Sequence, residues 1–177
     1  MTEFDLAAVA AVNIGVFIAA VLVLMMQPGF MLFESGRALG LEAEFEKRRA
    51  IYFDEVAVLR EMLDIPQGTT WALLTPGDGA VRLANGNYNF TQVLDDLGFV
   101  PNAMTQEQID RDVPWSEWHS VEALPQMDAD VVFVHYNTAA GWGPQSLIDG
   151  FEALLPNWCD FLTACAAGNV ILIPGSS

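Results

Sequence analysis

The order of apolar and polar residues divides the chain into two parts of different character. Residues 6 to 33 contain no charged side chain, whereas charged residues recur throughout the remainder. This run exceeds the about 20 residues that a helix needs to cross a bilayer. A cleaved secretory signal fits less well, because the amino end carries Glu3 and Asp5 but no basic residue. The pattern predicts a transmembrane helix within residues 1–35, with a signal or a buried helix as alternatives, and a separate domain over residues 36–177.

Apolar spacing in the second part alternates between helical and strand-like. It predicts a long amphipathic helix from about residue 41 to 63, two strands at TTWALLTP and AVRLA joined by the turn PGDG, and a helix at FTQVLDDLGF. The region PNAMTQEQIDRDVPWSEWHSVEALPQM is predicted as a loop with short helical pieces, one of them capped by Ser120. DADVVFVHYNT predicts a central parallel strand, GPQSLIDGFEALL and PNWCDFLTACAAG predict helices, and NVILIPGSS predicts a last strand. The expected fold class is α/β, a three-layer α/β/α lobe with a mostly parallel sheet.

Composition excludes some functions. The 23 acidic and 7 basic residues give a formal charge of −16, which repels phosphate backbones, so no nucleic-acid partner is expected. Cys159 and Cys165 are six residues apart in a predicted helix and do not share a helical face, so no disulfide is expected. The sequence contains no CxxC motif and no Cys/His cluster, so it does not predict a zinc site. The sequence also has no GxSxG, GxGxxG or P-loop, which makes a hydrolase or transferase the weaker hypothesis and predicts that the chain is not an enzyme.

The apolar run ends in VLVLMMQPGFMLFESGR, which resembles the first membrane helix of the ammonium transporter family. The resemblance covers residues 6–37. A transporter of that family needs further helices to enclose a pore, and no second apolar span follows in this sequence. The matching positions are Met26, Gln27, Gly29, Phe30, Leu32, Glu34, Gly36 and Arg37.

The rest of the chain, residues 36–177, resembles the carboxyl-terminal lobe of the periplasmic binding proteins for iron-siderophores. The resemblance is carried, in order, by GRALGLEAEFEKR, WALLTPGDGAVRLANG, VLDDLGFVPN, SVEALPQMDADVVFV and LLPNWCDFLTACAAGNVILIPGS. It implies one lobe of a two-lobed receptor for an ABC importer, with the ligand held by aromatic faces and by Arg or Tyr groups. It also implies that iron arrives already chelated as a ferric siderophore, with no intrinsic cofactor and no protein metal site.

Candidate binding residues lie where a sheet of this kind presents its carboxyl ends. His135, Tyr136 and Asn137 follow the strand VVFV, and Tyr136 is the first choice among them. Arg82 follows the predicted hairpin, and the amino end of the helix after Tyr88 and Phe90 suits an anionic group. Turns, caps and core covering explain the same residues equally well. The predicted ligand-binding set is Arg82, Tyr88, Phe90, Trp118, His135, Tyr136, Asn137 and Trp142, with Trp115 and His119 beside Trp118.

Partners and location follow from the resemblance. Glu122 matches a position where this family often has a surface glutamate that docks on arginines of the permease, which makes an ABC-transporter permease and the membrane expected partners. The leading hypothesis is a membrane-tethered solute-binding module, and the alternative is a truncated ammonium-transporter relative or a chimeric fusion. A periplasmic or extracytoplasmic lobe is expected from the resemblance. However, the basic residues that follow the apolar run favour a cytoplasmic one by the positive-inside rule.

Overall fold

The computed structural model describes residues 40, 42–77, 79–84 and 89–175. The predicted transmembrane helix and the ammonium-transporter-like residues 6–37 lie outside these ranges. Among the residues that the structure describes, no helix is both long enough and apolar enough to cross a membrane.

The described chain contains five α-helices interspersed with five β-strands, which confirms an α/β fold. The helices are α1 (Glu42–Leu63), α2 (Asn89–Asp96), α3 (Ala103–Asp110), α4 (Pro144–Leu154) and α5 (Thr163–Ala166). The strands are β1 (Thr70–Gly77), β2 (Ala80–Leu83), β3 (Val100–Pro101), β4 (Val131–Asn137) and β5 (Val170–Gly175). Short 3₁₀ helices occur at Val121–Gln126, Thr138–Ala140 and Trp158–Phe161.

The chain forms two compact units. The first contains α1 and α2, and the second contains all five strands with α3, α4 and α5. In the first unit, the Tyr52 hydroxyl on α1 donates a hydrogen bond of 2.5 Å to Asp96 Oδ2 at the end of α2. Burial and the Asp96 carboxylate both raise the pKa of Tyr52, so this hydroxyl keeps its proton and remains a donor.

The predicted helix over residues 41–63 is confirmed as α1, but fewer of its apolar side chains are buried than the sequence pattern suggested. Val56 is its one buried residue within the described chain, and Phe45, Tyr52, Leu59 and Leu63 are half-buried. These five positions repeat at helical spacing and form a single stripe. Ala50, which the sequence pattern assigned to the apolar face, is exposed.

The second unit is built on one mixed sheet with the strand order β2-β1-β4-β5, and β3 also pairs with β1. The β1–β4, β4–β5 and β1–β3 pairs are parallel, whereas β1 and β2 form an antiparallel hairpin. The predicted central position of VVFV is therefore confirmed. The parallel strands begin at one edge of the sheet, here called the amino edge, and end at the other, here called the carboxyl edge.

Alternation along the strands gives the sheet two faces. On the core face, Ala72, Leu74, Val132 and Val134 pack in one cluster with side chains of α4 and of the two longer 3₁₀ helices. The intervening residues point to the opposite side, here called the second face. Leu73 and Phe133 of that face are 5% and 1% exposed, so the central strands are buried on both faces, as expected for a sheet inside an α/β lobe.

The predicted single helix at PNWCDFLTACAAG is wrong, and so is the expectation that its cysteines remain unpaired. A 3₁₀ helix at Trp158–Phe161 is followed by extended Leu162 (φ −119°, ψ 121°) and then by α5, which leads to Gly168 with a positive φ of 73°. The break at Leu162 brings the Cα atoms of Cys159 and Cys165 to 5.4 Å, and the two form a disulfide. The spacing argument failed because it assumed a continuous helix.

The region predicted as a loop with short helical pieces contains the helix α3, whereas the short strand β3 before it was not predicted. Val100–Pro101 adds the short strand β3, and α3 follows with Asn102 as its cap. The Asn102 side chain accepts a hydrogen bond from the Thr105 backbone N–H at 2.8 Å and donates to the carbonyls of Met127 and Asp128 at 3.0 and 3.2 Å. Ser120 caps the 3₁₀ helix Val121–Gln126, as predicted.

Candidate functional site

The segment of residues 113–119, here called the edge segment, lies along the free side of β2. Val81 N–H donates to the His119 carbonyl at 2.9 Å, and His119 N–H donates back at 2.8 Å. Further along β2, Ser116 N–H donates to the Leu83 carbonyl, and Leu83 N–H donates to Ser116 Oγ, both at 2.9 Å. These bonds satisfy the outer groups of β2 and fix the backbone on either side of Trp115 and Trp118.

Arg82 lies between the two tryptophans that the edge segment presents. Its neighbours Val81 and Leu83 belong to the core cluster, so Arg82 points to the second face. The guanidinium carbon is 4.0 Å from the Trp115 ring centroid and 4.5 Å from the Trp118 centroid, which are cation–π contacts. Trp118 itself is 48% exposed. We call Arg82, Trp115 and Trp118 the Arg82 cluster.

Gly77 at the end of β1 makes room for the Arg82 cluster. A Cβ atom at this position would lie 2.4 Å from Cη2 of Trp118, so any larger residue would displace the indole. The hairpin register also places Thr75 of β1 opposite Arg82. Both side chains therefore project from the same face of the sheet, because directly opposite residues of an antiparallel pair share a face.

His135 of β4 lies on the second face as well. Its neighbours Val134 and Tyr136 contact the core cluster, so the imidazole points to the other side of the sheet. The pKa of His135 is lowered, first by burial and then by the positive charge of Arg82, which puts the two groups within electrostatic range of each other. Both effects favour the neutral imidazole.

Several buried polar atoms of this region have no hydrogen-bond partner among the described residues. They are Thr75 Oγ1, Arg82 Nε and His135 Nδ1, all on the second face toward the carboxyl edge. Native structures leave few such atoms unpaired, since each carries a desolvation cost. Trp71 Nε1, Thr105 Oγ1 and Gln108 Oε1, around the start of β1 and α3, share this property.

Tyr136 lies on the core face, and Asn137 contacts the turn after β4. Tyr136, the first choice from the sequence, is half-buried and packs against the core cluster. Asn137 stabilises the turn after β4, because its Oδ1 accepts from Ala140 N–H and its carbonyl accepts from Trp142 N–H, both at 3.1 Å. Trp142 follows this turn and is 42% exposed. The ring of Trp142 therefore stays a candidate contact at the carboxyl edge.

The other predicted residues have separate positions. Tyr88 lies outside the described residues, as does the side chain of Phe90, whose backbone belongs to the first turn of α2. Glu122 is exposed in the first turn of the 3₁₀ helix Val121–Gln126. Of the predicted set, the structure therefore brings together Arg82, Trp118 and His135.

Sequence reasoning missed Thr75 and Gly77. Thr75 could have been found from the predicted hairpin, because a turn at PGDG pairs TTWALLTP with AVRLA and sets Thr75 opposite Arg82. The close approach of Trp118 to Gly77 carries no comparable signal, since it joins residues that are 41 positions apart in the chain. The sequence predicted that Trp115 lies near Trp118, but it did not predict that Trp115 also contacts Arg82.

Solved structures with a similar fold are siderophore-binding proteins. SirA of Staphylococcus aureus is 22% identical with a TM-score of 0.64, and the match covers 81% of this chain and 54% of SirA. FhuD2 of the same organism, solved with bound ferrioxamine B, is 16% identical with a TM-score of 0.61 and coverages of 79% and 52%. A siderophore periplasmic binding protein from the fuscachelin gene cluster of Thermobifida fusca is 26% identical, with a TM-score of 0.54 and coverages of 81% and 51%.

These likenesses show the fold of an α/β lobe, and the chain spans about half the length of the structures that it matches. These neighbours are substrate-binding proteins. No family model and no curated protein matches the sequence. The ammonium-transporter resemblance of residues 6–37 thus gains no support from these comparisons.

Proposed function

We propose that this chain is a solute-binding lobe that holds a ferric siderophore and presents it to the permease of an ABC importer. The observation that carries the proposal is the Arg82 cluster. A guanidinium lies between two indole rings toward the carboxyl edge of a sheet. The fold of that sheet is shared with siderophore-binding proteins such as SirA and FhuD2.

The chemistry of the Arg82 cluster suits an organic chelate. Indole rings bury the carbon framework of such a ligand, while the guanidinium donates hydrogen bonds to oxygens at its polar edge. Thr75 and His135 add polar atoms on the same face without adding charge, because the lowered pKa of His135 favours the neutral imidazole. In this proposal iron arrives inside its chelate and the protein contacts only the organic shell.

The proposed set of ligand contacts is centred on Arg82, Trp118 and His135, with Trp115 and Thr75 added. Trp142 is retained as a contact at the carboxyl edge, and Tyr88 and Phe90 remain proposals from the sequence. Tyr136 and Asn137 rank lower, since one packs against the core and the other stabilises a turn.

Docking on the permease is proposed to use Glu122. Its position in an exposed first turn leaves the carboxylate able to meet a basic surface, which speeds association and fixes orientation more than it adds affinity. An extracytoplasmic location is favoured by the disulfide between Cys159 and Cys165, because disulfides persist in oxidising compartments. This argument opposes the positive-inside rule applied to the basic residues after the apolar run, and it concerns the lobe itself rather than its tether. Tethering to the membrane remains a proposal.

Calorimetric titration of the full chain with a panel of ferric siderophores tests the proposed function. We expect saturable binding of at least one chelate, and we expect Arg82→Met to weaken it at least tenfold. Arg111→Met is the matched control, because Arg111 is exposed and contacts Glu107 at 3.7 Å on its own helix turn. The proposal fails if no chelate binds a chain that circular dichroism shows to be folded, or if both arginine variants weaken binding equally.

A further inference from the structure

Arg82 is isolated in an acidic environment. From residue 68 to the carboxyl terminus, Arg82 and Arg111 are the only arginines and there is no lysine, whereas acidic residues are frequent. Arg111 contacts Glu107, but no described carboxylate lies within ion-pair distance of Arg82. Although carboxylates are frequent in this part of the chain, the contacts of the Arg82 guanidinium are with two aromatic rings.

The geometry of the Arg82 cluster leaves hydrogen-bonding capacity unused. The guanidinium carbon lies over both indole rings, and the N–H groups of a guanidinium lie in its own plane. One of these groups, Nε, is buried and has no acceptor among the described residues. A planar guanidinium with a free edge matches the two oxygens of a carboxylate.

The neighbouring groups on the second face reinforce this preference. Thr75 supplies a hydroxyl and His135 an imidazole, and each has a buried atom without a partner in the described chain. Neither group carries negative charge, and Glu117, the carboxylate of the edge segment, is exposed and lies beyond ion-pair distance of Arg82. The Arg82 cluster itself therefore carries one positive charge in a unit whose sequence is otherwise rich in acidic residues.

We propose that the site selects anionic ferric chelates of the carboxylate class, whose carboxylate oxygens accept hydrogen bonds from the edge of Arg82, over chelates of net positive charge. This inference rests on the proposed function and adds the charge class of the ligand. The acidic surface of the lobe would attract a cationic chelate from a distance, so the selection must come from the desolvated contact with Arg82, where electrostatic interactions are less screened.

Two chelates of opposite charge test the inference by calorimetry on the full chain. Ferric citrate is the anionic probe, and ferrioxamine B, whose free ammonium makes the complex cationic, is the opposing probe. We expect ferric citrate to bind at least tenfold more tightly than ferrioxamine B, and we expect Arg82→Met to reverse or abolish that difference. Arg82→Gln serves as a second variant that keeps a polar side chain, and Arg111→Met should preserve the preference.

The outcomes separate the two proposals. Ferrioxamine B binding as tightly as ferric citrate, or an equal loss of both in Arg82→Met, overturns the charge selection and leaves the proposed siderophore function standing. Binding of neither probe, nor of any other siderophore, to the folded chain overturns both. Weaker binding of ferric citrate in Arg82→Lys would support the inference further, because lysine keeps the charge but lacks the planar fork.

Discussion

Charged side chains at the two edges of the sheet have different kinds of partner. At the amino edge, Asp130 Oδ2 accepts bonds of 2.7 Å from both the backbone N–H and the hydroxyl of Thr70, and Thr70 Oγ1 accepts from Asp130 N–H at 2.8 Å. Asp128 likewise accepts from the N–H and the hydroxyl of Thr163 at 2.7 and 2.6 Å. Toward the carboxyl edge, Arg82 has no carboxylate partner among the described residues and contacts the rings of Trp115 and Trp118.

This difference contrasts a group that stabilises the fold with the residues of the proposed ligand site. Hydrogen bonds to Asp130 stabilise its ionised form and lower its pKa, so the carboxylate joins the starts of β1 and β4 at neutral pH. Unpartnered buried polar atoms occur at both edges, and each costs stability. What distinguishes the two edges is that Asp130 joins the starts of β1 and β4, whereas Thr75, Arg82 and His135 toward the carboxyl edge belong to the proposed ligand site.

Replacing Asn102 with alanine should have the largest effect on stability. The variant loses three hydrogen bonds of a side chain that is 6% exposed, and two carbonyls and one N–H near the amino edge lose their partner. We expect the free energy of unfolding to fall by about 3 kcal/mol. Urea unfolding measures the loss, and Gln106→Ala, which removes one exposed bond to Asp110, should cost under about 0.5 kcal/mol. Equal losses would contradict the special role of the amino edge.

Removal of the disulfide should have the next largest effect. The double replacement Cys159→Ser with Cys165→Ser opens a loop with a sequence separation of 6, which should lower stability by roughly 2 kcal/mol. Wild-type protein unfolded in the presence of a thiol reductant should show the same loss, and the double variant should not respond to the reductant. If reduction leaves the wild-type midpoint unchanged, the disulfide does not stabilise this part of the lobe.

Replacing Gly77 with alanine should have a smaller effect on stability but should perturb the Arg82 cluster directly. The new methyl group collides with Trp118, so the indole must move, at a cost of about 1–2 kcal/mol. Tryptophan fluorescence and near-UV circular dichroism should both change. Gly150→Ala is the matched control, because Gly150 lies inside α4 with no atom within 4 Å of its added Cβ, and there alanine should be neutral or stabilising. An unchanged spectrum for Gly77→Ala would argue against the observed packing of Trp118.

The smallest effect should be the contribution of His135 to the pH dependence of stability. Its pKa in the folded chain lies below its ordinary value of 6.5, so the unfolded chain takes up a proton first as the pH falls. Stability should therefore be full above about pH 6.5 and should decline from there toward the folded pKa. Urea unfolding at pH 7.5 and 5.5 should show a smaller loss on acidification in His135→Gln than in the wild type. Arg82→Met should reduce the loss as well, and an undiminished loss in both variants would contradict the electrostatic contact.

Much of the fold could be predicted from local pattern. Apolar alternation and helical spacing reflect which side of each element is buried, so most elements were predicted. These are β1, β2, β4, β5, α1, α2 and α4. The failures occurred where tertiary contacts override local preference. Leu162 is extended in a segment that reads as one helix, and Val100–Pro101 pairs as a strand although its sequence gives no strand signal.

The candidate site was predictable only in part. Arg82, Trp118 and His135 were recognised from their residue types and their positions near strand ends, and the structure brings these three into one region. Tyr136 had the same residue-type argument and lies on the core face instead. A shift of one residue along a strand reverses the face, so a local argument that is uncertain by one position cannot assign the site.

The sequence by itself determined the α/β class, the acidic surface and the scarcity of cations after residue 68, because these depend only on composition and on periodic burial. Tertiary structure alone decided that Arg82 meets Trp115 and Trp118 and that Cys159 meets Cys165. Those contacts depend on how the edge segment aligns with β2 and on where a helix breaks. Both are settled by the packing and hydrogen bonding of distant residues, for which a local pattern carries no information.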